Sequence, residues 1–340
     1  MKYLFVVGRD RDLGVLEIVS FLRAKNINFE VVYSEKRFIV LEMNNFNSSV
    51  EEFGGIVKIG KRVNIEDIYF DKSKITYSVY GRDILEKLKK RFKEEGVKAV
   101  FRKYSDDPNN LDLEIIKIKE DTFQIVSVSN PKGYKKRDET RPKFDGKKVV
   151  SIRLAKILVN LSQARTELLD PFCGCGTILQ EALLKNLDVV GIDKDISDAR
   201  SNLKWLKENF SIKNSFNLIQ GDARRLSSYL AKVEAIATEP YMGPFLKKIP
   251  QSEEAKKIAK ELNVLYSDFF REARKIVKGK LVFVEPIIKI HMGEVNVGFE
   301  GILIKNGFKA TIFTNAVNPI EYDLKGSKIK RRIWVLERFK

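Results

Sequence analysis

The sequence has one histidine, His291, and two cysteines, Cys173 and Cys175. A zinc cluster needs about four histidine or cysteine ligands, so none is expected, and no other metal is called for. Two cysteines two residues apart exclude a disulfide framework. A histidine-centred triad would rest on His291 alone, which reads as an ordinary surface or core residue. No run approaches the ~18 consecutive apolar residues of a membrane span. The first apolar run, Leu4-Phe5-Val6-Val7, is too short for the core of a signal peptide. The expectation is a soluble, cytoplasmic chain with no membrane partner. Acidic charge is also scarce: 46 aspartates and glutamates face 63 lysines and arginines, for a net charge of +17. Such an excess favours polyanionic partners, because each cation that meets a phosphate releases a counterion. It says nothing about fold, and a lysine-rich surface kept for solubility has the same composition.

The chain holds 340 residues, 44% of them apolar. With about 100–200 residues per domain, two or three domains are expected. Residues 1–64 read as a small α+β unit: a strand at Tyr3 to Val7, a helix at Leu13 to Arg23, and strands at Asn28 to Tyr33 and Arg37 to Met43. Gly54-Gly55 breaks the pattern. Residues 65–130 restart it. Ile75 to Tyr80 alternates as a half-buried strand. Arg82 to Glu95 forms an amphipathic helix with Ile84, Leu85, Leu88 and Phe92 on one stripe. Its other face carries Lys87, Lys90 and Arg91. Strands follow at Val97 to Lys103, Leu111 to Ile118 and Thr122 to Val128, with a turn at Asp106-Asp107-Pro108-Asn109-Asn110. Residues 131–150 read as a linker, broken by Pro131, Gly133, Pro142 and Gly146. Lys135, Lys136, Arg137 and Arg141 lie there with Lys147 and Lys148, as a strip suited to phosphates. Most charge runs are solvated connections, but this one joins domains of a basic protein.

From 151 to 340 strands and helices alternate. Strands at Thr166 to Asp170, Asp188 to Asp193, Phe216 to Gln220, Val233 to Thr238 and Lys280 to Val284 are separated by helices starting at Ile178, Ser197 and Glu253. This βαβα rhythm implies a doubly wound, mostly parallel α/β sheet. Phe308 to Phe313 and Arg332 to Phe339 can pair as an antiparallel hairpin at its edge. Glu285-Pro286 reads as a structural stop and Trp205 as a core residue.

The sharpest local signal is Asp170-Pro171-Phe172-Cys173-Gly174-Cys175-Gly176-Thr177, between a strand and a helix. Gly174 and Gly176 allow a tight turn and a close approach to a ligand. Thr177 and Gln180 fit a capping box. Asp193 ends the second strand, where a carboxylate can accept from two ribose hydroxyls. Asp222, followed by Ala223, ends the third strand and can meet an adenine. A dinucleotide site fits poorly. Leu179 crowds the approach of a pyrophosphate to the helix, and Asp170 would repel it. A P-loop is excluded, since no Gly-Lys-Ser/Thr follows. An acid at the loop suits a cationic amino-acid tail, so the cofactor that fits is S-adenosyl-L-methionine. Cys173 and Cys175 read as small packed residues rather than nucleophiles.

The fourth strand ends in Thr238-Glu239-Pro240-Tyr241. An exocyclic amine on a base is a weak nucleophile, because its lone pair is shared with the ring. Oxygens that accept its hydrogens return electron density to nitrogen, an aromatic ring stacks on the base, and positioning supplies much of the remaining rate. The base must first leave its stack. Glu239, Pro240 and Tyr241 are the candidate catalytic residues.

The last 200 residues resemble the Rossmann-fold amino-methyltransferases. The whole chain resembles the archaeal and eukaryotic tRNA guanosine-10 N2-methyltransferase family. The likeness lies in Tyr3 to Asp10, Gly54 to Gly60, Tyr134 to Asp138 with Arg141-Pro142, Arg153-Leu154-Ala155, Val159-Asn160-Leu161 and the Asp170 loop. It implies a ferredoxin-like N-terminal domain (1–64), a THUMP-like RNA-binding domain (65–130), a basic linker (131–150) and a methyltransferase domain (151–340). It also implies a tRNA partner. Eukaryotic relatives use a small activating subunit, so the resemblance leaves a place for one on a chain otherwise expected as a monomer or weak oligomer. By the resemblance, Asp170, Pro171, Phe172, Gly174, Gly176, Thr177, Asp193, Asp222 and Ala223 hold the cofactor. One departure stands out. The family motif is Asp-Pro-Pro-Tyr-Gly, whereas here Thr238 or Glu239 takes the place of the acid, depending on the alignment. Two other readings share parts of the pattern: a non-catalytic RNA-binding protein that keeps the fold, and a DNA amino-methyltransferase. The latter lacks a sequence-reading domain.

Overall fold

The computed structural model describes residues 1–103, 111–144 and 150–339. The turn expected at Asp106 to Asn110 and the linker residues Asp145, Gly146, Lys147 and Lys148 lie outside the described residues. The chain divides into two compact units, Met1–Gly14 with Asn26–Lys135 and Val15–Lys25 with Lys136–Lys340.

The first unit is built on one sheet. Its elements are β1 (Lys2–Val7), the start of α1 (Arg11–Ala24), β2 (Phe29–Glu35), β3 (Phe38–Met43), β4 (Ile56–Arg62), β5 (Lys74–Tyr80), α2 (Arg82–Glu94), β6 (Lys98–Phe101), β7 (Leu113–Ile118), β8 (Asp121–Val128) and the start of α3 (Pro131–Thr140). The strand order is β2-β3-β1-β4-β8-β7-β5-β6. The segments 1–64 and 65–130 therefore share one eight-stranded sheet, joined where β4 pairs antiparallel with β8. β5 runs parallel to both of its neighbours, β6 and β7, and the other described pairings of this sheet are antiparallel. The stripe read on α2 is the one that packs: Ile84, Leu88 and Phe92 are buried with Ile75, Tyr77, Leu113 and Ile115.

Part of the expected linker is a helix. Pro131 opens α3, where its missing N–H costs nothing, and the Asn130 side chain accepts from the Gly133 N–H at 2.9 Å. That cap outweighs the low helix propensity of Gly133.

The second unit contains α4 (Ile152–Ser162), β9 (Glu167–Asp170), α5 (Thr177–Leu184), β10 (Asp188–Asp193), α6 (Ser197–Asn209), β11 (Phe216–Gln220), β12 (Ala235–Thr238), α7 (Ser252–Ile276), β13 (Leu281–Ile290), β14 (Gly293–Asn296), α8 (Phe299–Lys305), β15 (Phe308–Ala310), β16 (Ile320–Tyr322) and β17 (Ile329–Arg338). The main order is β11-β10-β9-β12-β13-β17-β15, with β14 on β13 and β16 on β17. Strands β9 to β13 run parallel, while β17 is antiparallel to β13 and β15. Leu169, Val190, Ile192, Ile236, Leu281 and Phe283 join α7 and α8 in one apolar cluster. Alternation along the strands sends Gly191 to the opposite face, where a Cβ would meet Leu179 of α5 at 2.5 Å. Helices thus cover both faces of a doubly wound sheet. The chain leaves β9 towards β10 and β11 and returns to the other side of β9 with β12. That reversal opens a crevice at the carboxyl ends of the strands.

Two expectations fail here. Glu285-Pro286 does not stop β13. The strand continues to Ile290, because Pro286 faces Arg331 in an antiparallel register that its ring tolerates. Trp205 is half-buried rather than core, set edge-on against Phe210 at 5.9 Å. His291 is exposed.

Candidate active site

The loop after β9 is shaped by hydrogen bonds to its own backbone. The Cys173 N–H donates to the Ile192 carbonyl (3.1 Å) and the Gly176 N–H to the Cys173 carbonyl (2.7 Å). Gly174 and Gly176 have φ of 48° and 81°, the left-handed region that glycine enters without steric cost. Asp193, at the tip of β10, accepts from the Gly174 N–H at 2.8 Å. The carboxylate and the loop therefore fix each other. The Cys173 thiol is buried and desolvation pushes its pKa up, so it is held as an unreactive thiol, as expected of a packed residue.

Asp170 lies beneath this loop, 2% exposed. Its Oδ1 accepts from the Thr238 hydroxyl at 2.7 Å and from the Phe172 N–H at 3.2 Å. Burial nevertheless dominates and pushes the carboxyl up to about 7, because two neutral donors replace only part of its lost hydration. The bond to Thr238 ties the end of β9 to the end of β12. Asp222 opens a 3-10 turn over Ala223–Ser228 and accepts from the Arg224 N–H at 2.9 Å. The Arg224 guanidinium also grips it, at 2.6 Å, and holds its carboxyl below the usual range.

Past β12, Glu239 Oε1 accepts from Arg331 Nε of β17 at 2.5 Å. The buried Tyr266 hydroxyl donates to the Tyr241 carbonyl at 2.7 Å, which anchors the backbone of the motif. The Tyr241 ring itself is 55% exposed. Pro171, Phe172, Asp193, Asp222, Ala223, Glu239, Pro240 and Tyr241 all line one cleft of about 310 Å³, together with Lys194, Gly221, Arg224 and Leu265. Phe172 is held edge-on against Phe269 of α7 at 5.5 Å.

Four candidate cofactor residues stand outside this lining, the first of them the buried Asp170. Gly174 and Gly176 shape the loop. Thr177 is buried, and its hydroxyl accepts from Arg141 Nη1 at 2.9 Å. The expected capping box is absent, because the αL residue Gly176 takes the N-cap position of α5 and places Thr177 inside the helix.

Several cations expected to meet RNA are also committed inside the protein. The Arg141 side chain is 1% exposed and lies 3.1 Å from Asp138. Arg137 pairs with the buried Glu181. Arg91 donates to the Ile68 carbonyl at 2.9 Å and pairs with Glu95 at 2.5 Å. Each guanidinium has five donors that can satisfy buried oxygens, and composition cannot distinguish that use from phosphate binding. Lys87, Lys90, Lys135 and Lys136 are exposed. Sequence reasoning missed Lys194, Arg224, Leu265 and Arg331. Lys194 and Arg224 neighbour the acids that were singled out. Arg331 lies 92 residues from its partner, with no motif to mark it.

The parallel sheet, the glycine loop and the acids at its strand tips define a Rossmann-type methyltransferase domain, and that fold implies a methyl donor of the S-adenosylmethionine type. Comparisons with known proteins agree. Residues 140–287 match the family described as UPF0020: RMKL-like, methyltransferase domain. The chain is 38% identical over 127 residues to the tRNA (guanine(10)-N2)-dimethyltransferase of Methanothermobacter thermautotrophicus, a match that covers 36% of each protein. It is 36% identical over 117 residues to the enzyme of that name from Pyrococcus abyssi, covering 33% of this chain and 34% of the relative. The matches thus span about a third of these relatives' length. Among solved structures, TrmN from Thermus thermophilus superposes over 100% of both chains with a TM-score of 0.52 at 16% identity, which is a likeness of fold. Residues 140–287 are thus similar to the RMKL-like methyltransferase domain. The relatives the chain resembles carry the name of the family to which the sequence motifs point.

Proposed function

We propose that the protein is an S-adenosylmethionine-dependent tRNA methyltransferase that modifies an exocyclic amine, guanosine N2 of the position-10 type. One observation carries this reading: acids at two strand tips and Glu239-Pro240-Tyr241 line the same cleft. The residues suit the cofactor. Asp193 has a carboxylate fixed by the glycine loop and turned to the cleft, ready to accept from hydroxyls. Phe172, Pro171 and Ala223 supply flat apolar contact for a purine. The buried Asp170 is an acid whose ionised form a nearby cation would stabilise. The volume falls at the low end of the ~300–1,000 Å³ usual for ligand sites. When bound, S-adenosylmethionine supplies an electrophilic methyl group on a sulfonium.

The chain's own part is to present the nucleophile. The exposed Tyr241 ring stacks on the flipped base. The main-chain carbonyl near Pro240 and the Glu239 carboxylate accept hydrogens of the amine. Within the domain, α7 holds the motif still through the Tyr266 hydroxyl. We assign residues 1–64 and 65–130 to N-terminal and THUMP-like modules that grip the tRNA, with Lys87, Lys90, Lys135 and Lys136 as phosphate contacts. The net charge of +17 and the names of the relatives support tRNA as the partner. Among the described residues no helix is long and apolar enough to cross a membrane. The test is transfer of tritium from labelled S-adenosylmethionine to unmodified tRNA with duplex DNA as competitor. Label in tRNA that DNA fails to suppress supports the proposal. Tight tRNA binding without label, or label in DNA, refutes it.

A further inference from the structure

The Glu239–Arg331 pair uses only part of what its two groups offer. Arg331 Nε meets Glu239 Oε1 at 2.5 Å. Among the described residues, Glu239 Oε2 and both Arg331 Nη groups have no hydrogen-bond partner. Both side chains are mostly buried, 13% and 19% exposed, and Glu239 lines the cleft. A carboxylate oxygen has two lone pairs, so Oε1 can accept a second hydrogen while it holds Arg331. The pair therefore presents a row: acceptor at Oε2, acceptor at Oε1, donor at the guanidinium.

The edge of guanine reads donor, donor, acceptor, at N2–H, N1–H and O6. Adenine presents an acceptor at N1 and a donor at N6, the reverse of what the pair offers at those places. We infer that Glu239 and Arg331 together read the guanine edge and make the enzyme specific for guanine. This rests on the proposed methylation of a base amine in the same cleft and adds the source of its base specificity. The arginine comes from the antiparallel strand β17, in register with Pro286 of β13. The C-terminal addition to the parallel sheet thereby gains a role.

The test uses the full chain and two tRNA transcripts. One carries guanosine at the nucleotide that takes the methyl group, the other 2-aminopurine. 2-Aminopurine keeps the amine but lacks O6 and the N1 hydrogen. Its intrinsic reactivity is common to all enzyme variants and cancels when they are compared. A good bidentate contact to a base is worth about 1–3 kcal/mol of discrimination, or roughly 5- to 150-fold. Arg331→Lys keeps a cation beside Glu239 but loses the planar fork. It should reduce kcat/KM for guanosine by a factor in that range and leave 2-aminopurine unchanged, so the preference collapses. Arg331→Gln should do the same, and either variant suffices if the other fails to fold. An equal fall on both substrates would mean that the pair only supports the structure, and would overturn the inference. No transfer by the wild type to either transcript would instead defeat the proposed function, and this inference with it.

Discussion

Asp170 shows how one residue couples stability to the site. Both of its hydrogen bonds end on Oδ1, and its carboxyl is pushed up to about 7 by burial. The ordinary value is about 3.9. The folded-state value is raised, so the folded chain holds this proton after the unfolded chain has lost it. Stability therefore falls as pH rises from about 4 to about 7 and is level above that. Asp170→Asn removes the cost of ionisation. It should be more stable than wild type at pH 8, on the order of 1–4 kcal/mol, with no gain below pH 4. Thermal melts at the two pH values check this, and a less stable variant at pH 8 would show that the carboxylate is better solvated than its burial indicates.

The roles proposed for Asp193 and Tyr241 separate at the same scale. Asp193→Ala should weaken S-adenosylmethionine binding in calorimetry by roughly 10- to 150-fold, the value of about 1.5–3 kcal/mol for a hydrogen bond to a charged group. Tyr241→Ala should lower kcat/KM for tRNA by roughly 5- to 150-fold through lost stacking, while donor affinity stays near that of the wild type. Equal losses of donor affinity and turnover in Tyr241→Ala would contradict a stacking role.

Among the elements, β13 and α7 hold the motif in place. Phe283 of β13 is fully buried, with ring centroids 4.9 Å from Tyr266, 5.6 Å from Phe269, 5.1 Å from Phe270 and 5.1 Å from Phe299. Tyr266 in turn pins the Tyr241 carbonyl. Phe283→Ala should cost about 3–5 kcal/mol in denaturant unfolding. It should also loosen the cleft, so that tRNA methylation falls further than donor binding does. A loss under 1 kcal/mol would mean that the aromatic cluster collapses around the gap.

The elements also show what the sequence made legible. Strands β9 to β12 and helices α5 to α7 are evident from the alternation of apolar runs with helical periodicity, since both faces of a parallel sheet must be buried. The helix over Pro131–Thr140 was hidden because Gly133 and a run of charges argue for coil, and a single Asn130 cap decides otherwise. The extension of β13 through Pro286 was hidden because strand propensity is local, whereas the antiparallel partner β17 lies more than 40 residues away.

For the whole molecule, the motifs located most of the cleft: eight of the expected site residues line it together. The arginines were harder to read. Arg91, Arg137 and Arg141 look like an RNA-binding surface in sequence and prove to satisfy carbonyls, a buried glutamate and a threonine. Arg331, unmarked by any motif, meets Glu239 of the cleft lining because β17 folds back beside β13. Pairing at long range assigns these cations their tasks, and neither periodicity nor composition records it. The charge excess survives on exposed lysines, which fits a partner recognised through its phosphate backbone.

The most direct measurement is mass analysis of nucleosides from unmodified tRNA after incubation with the full chain and S-adenosylmethionine. N2-methylated guanosine at a single tRNA position is the expected result. Methylated adenosine, or a tRNA whose nucleosides are all unchanged, would contradict the assignment of the cleft.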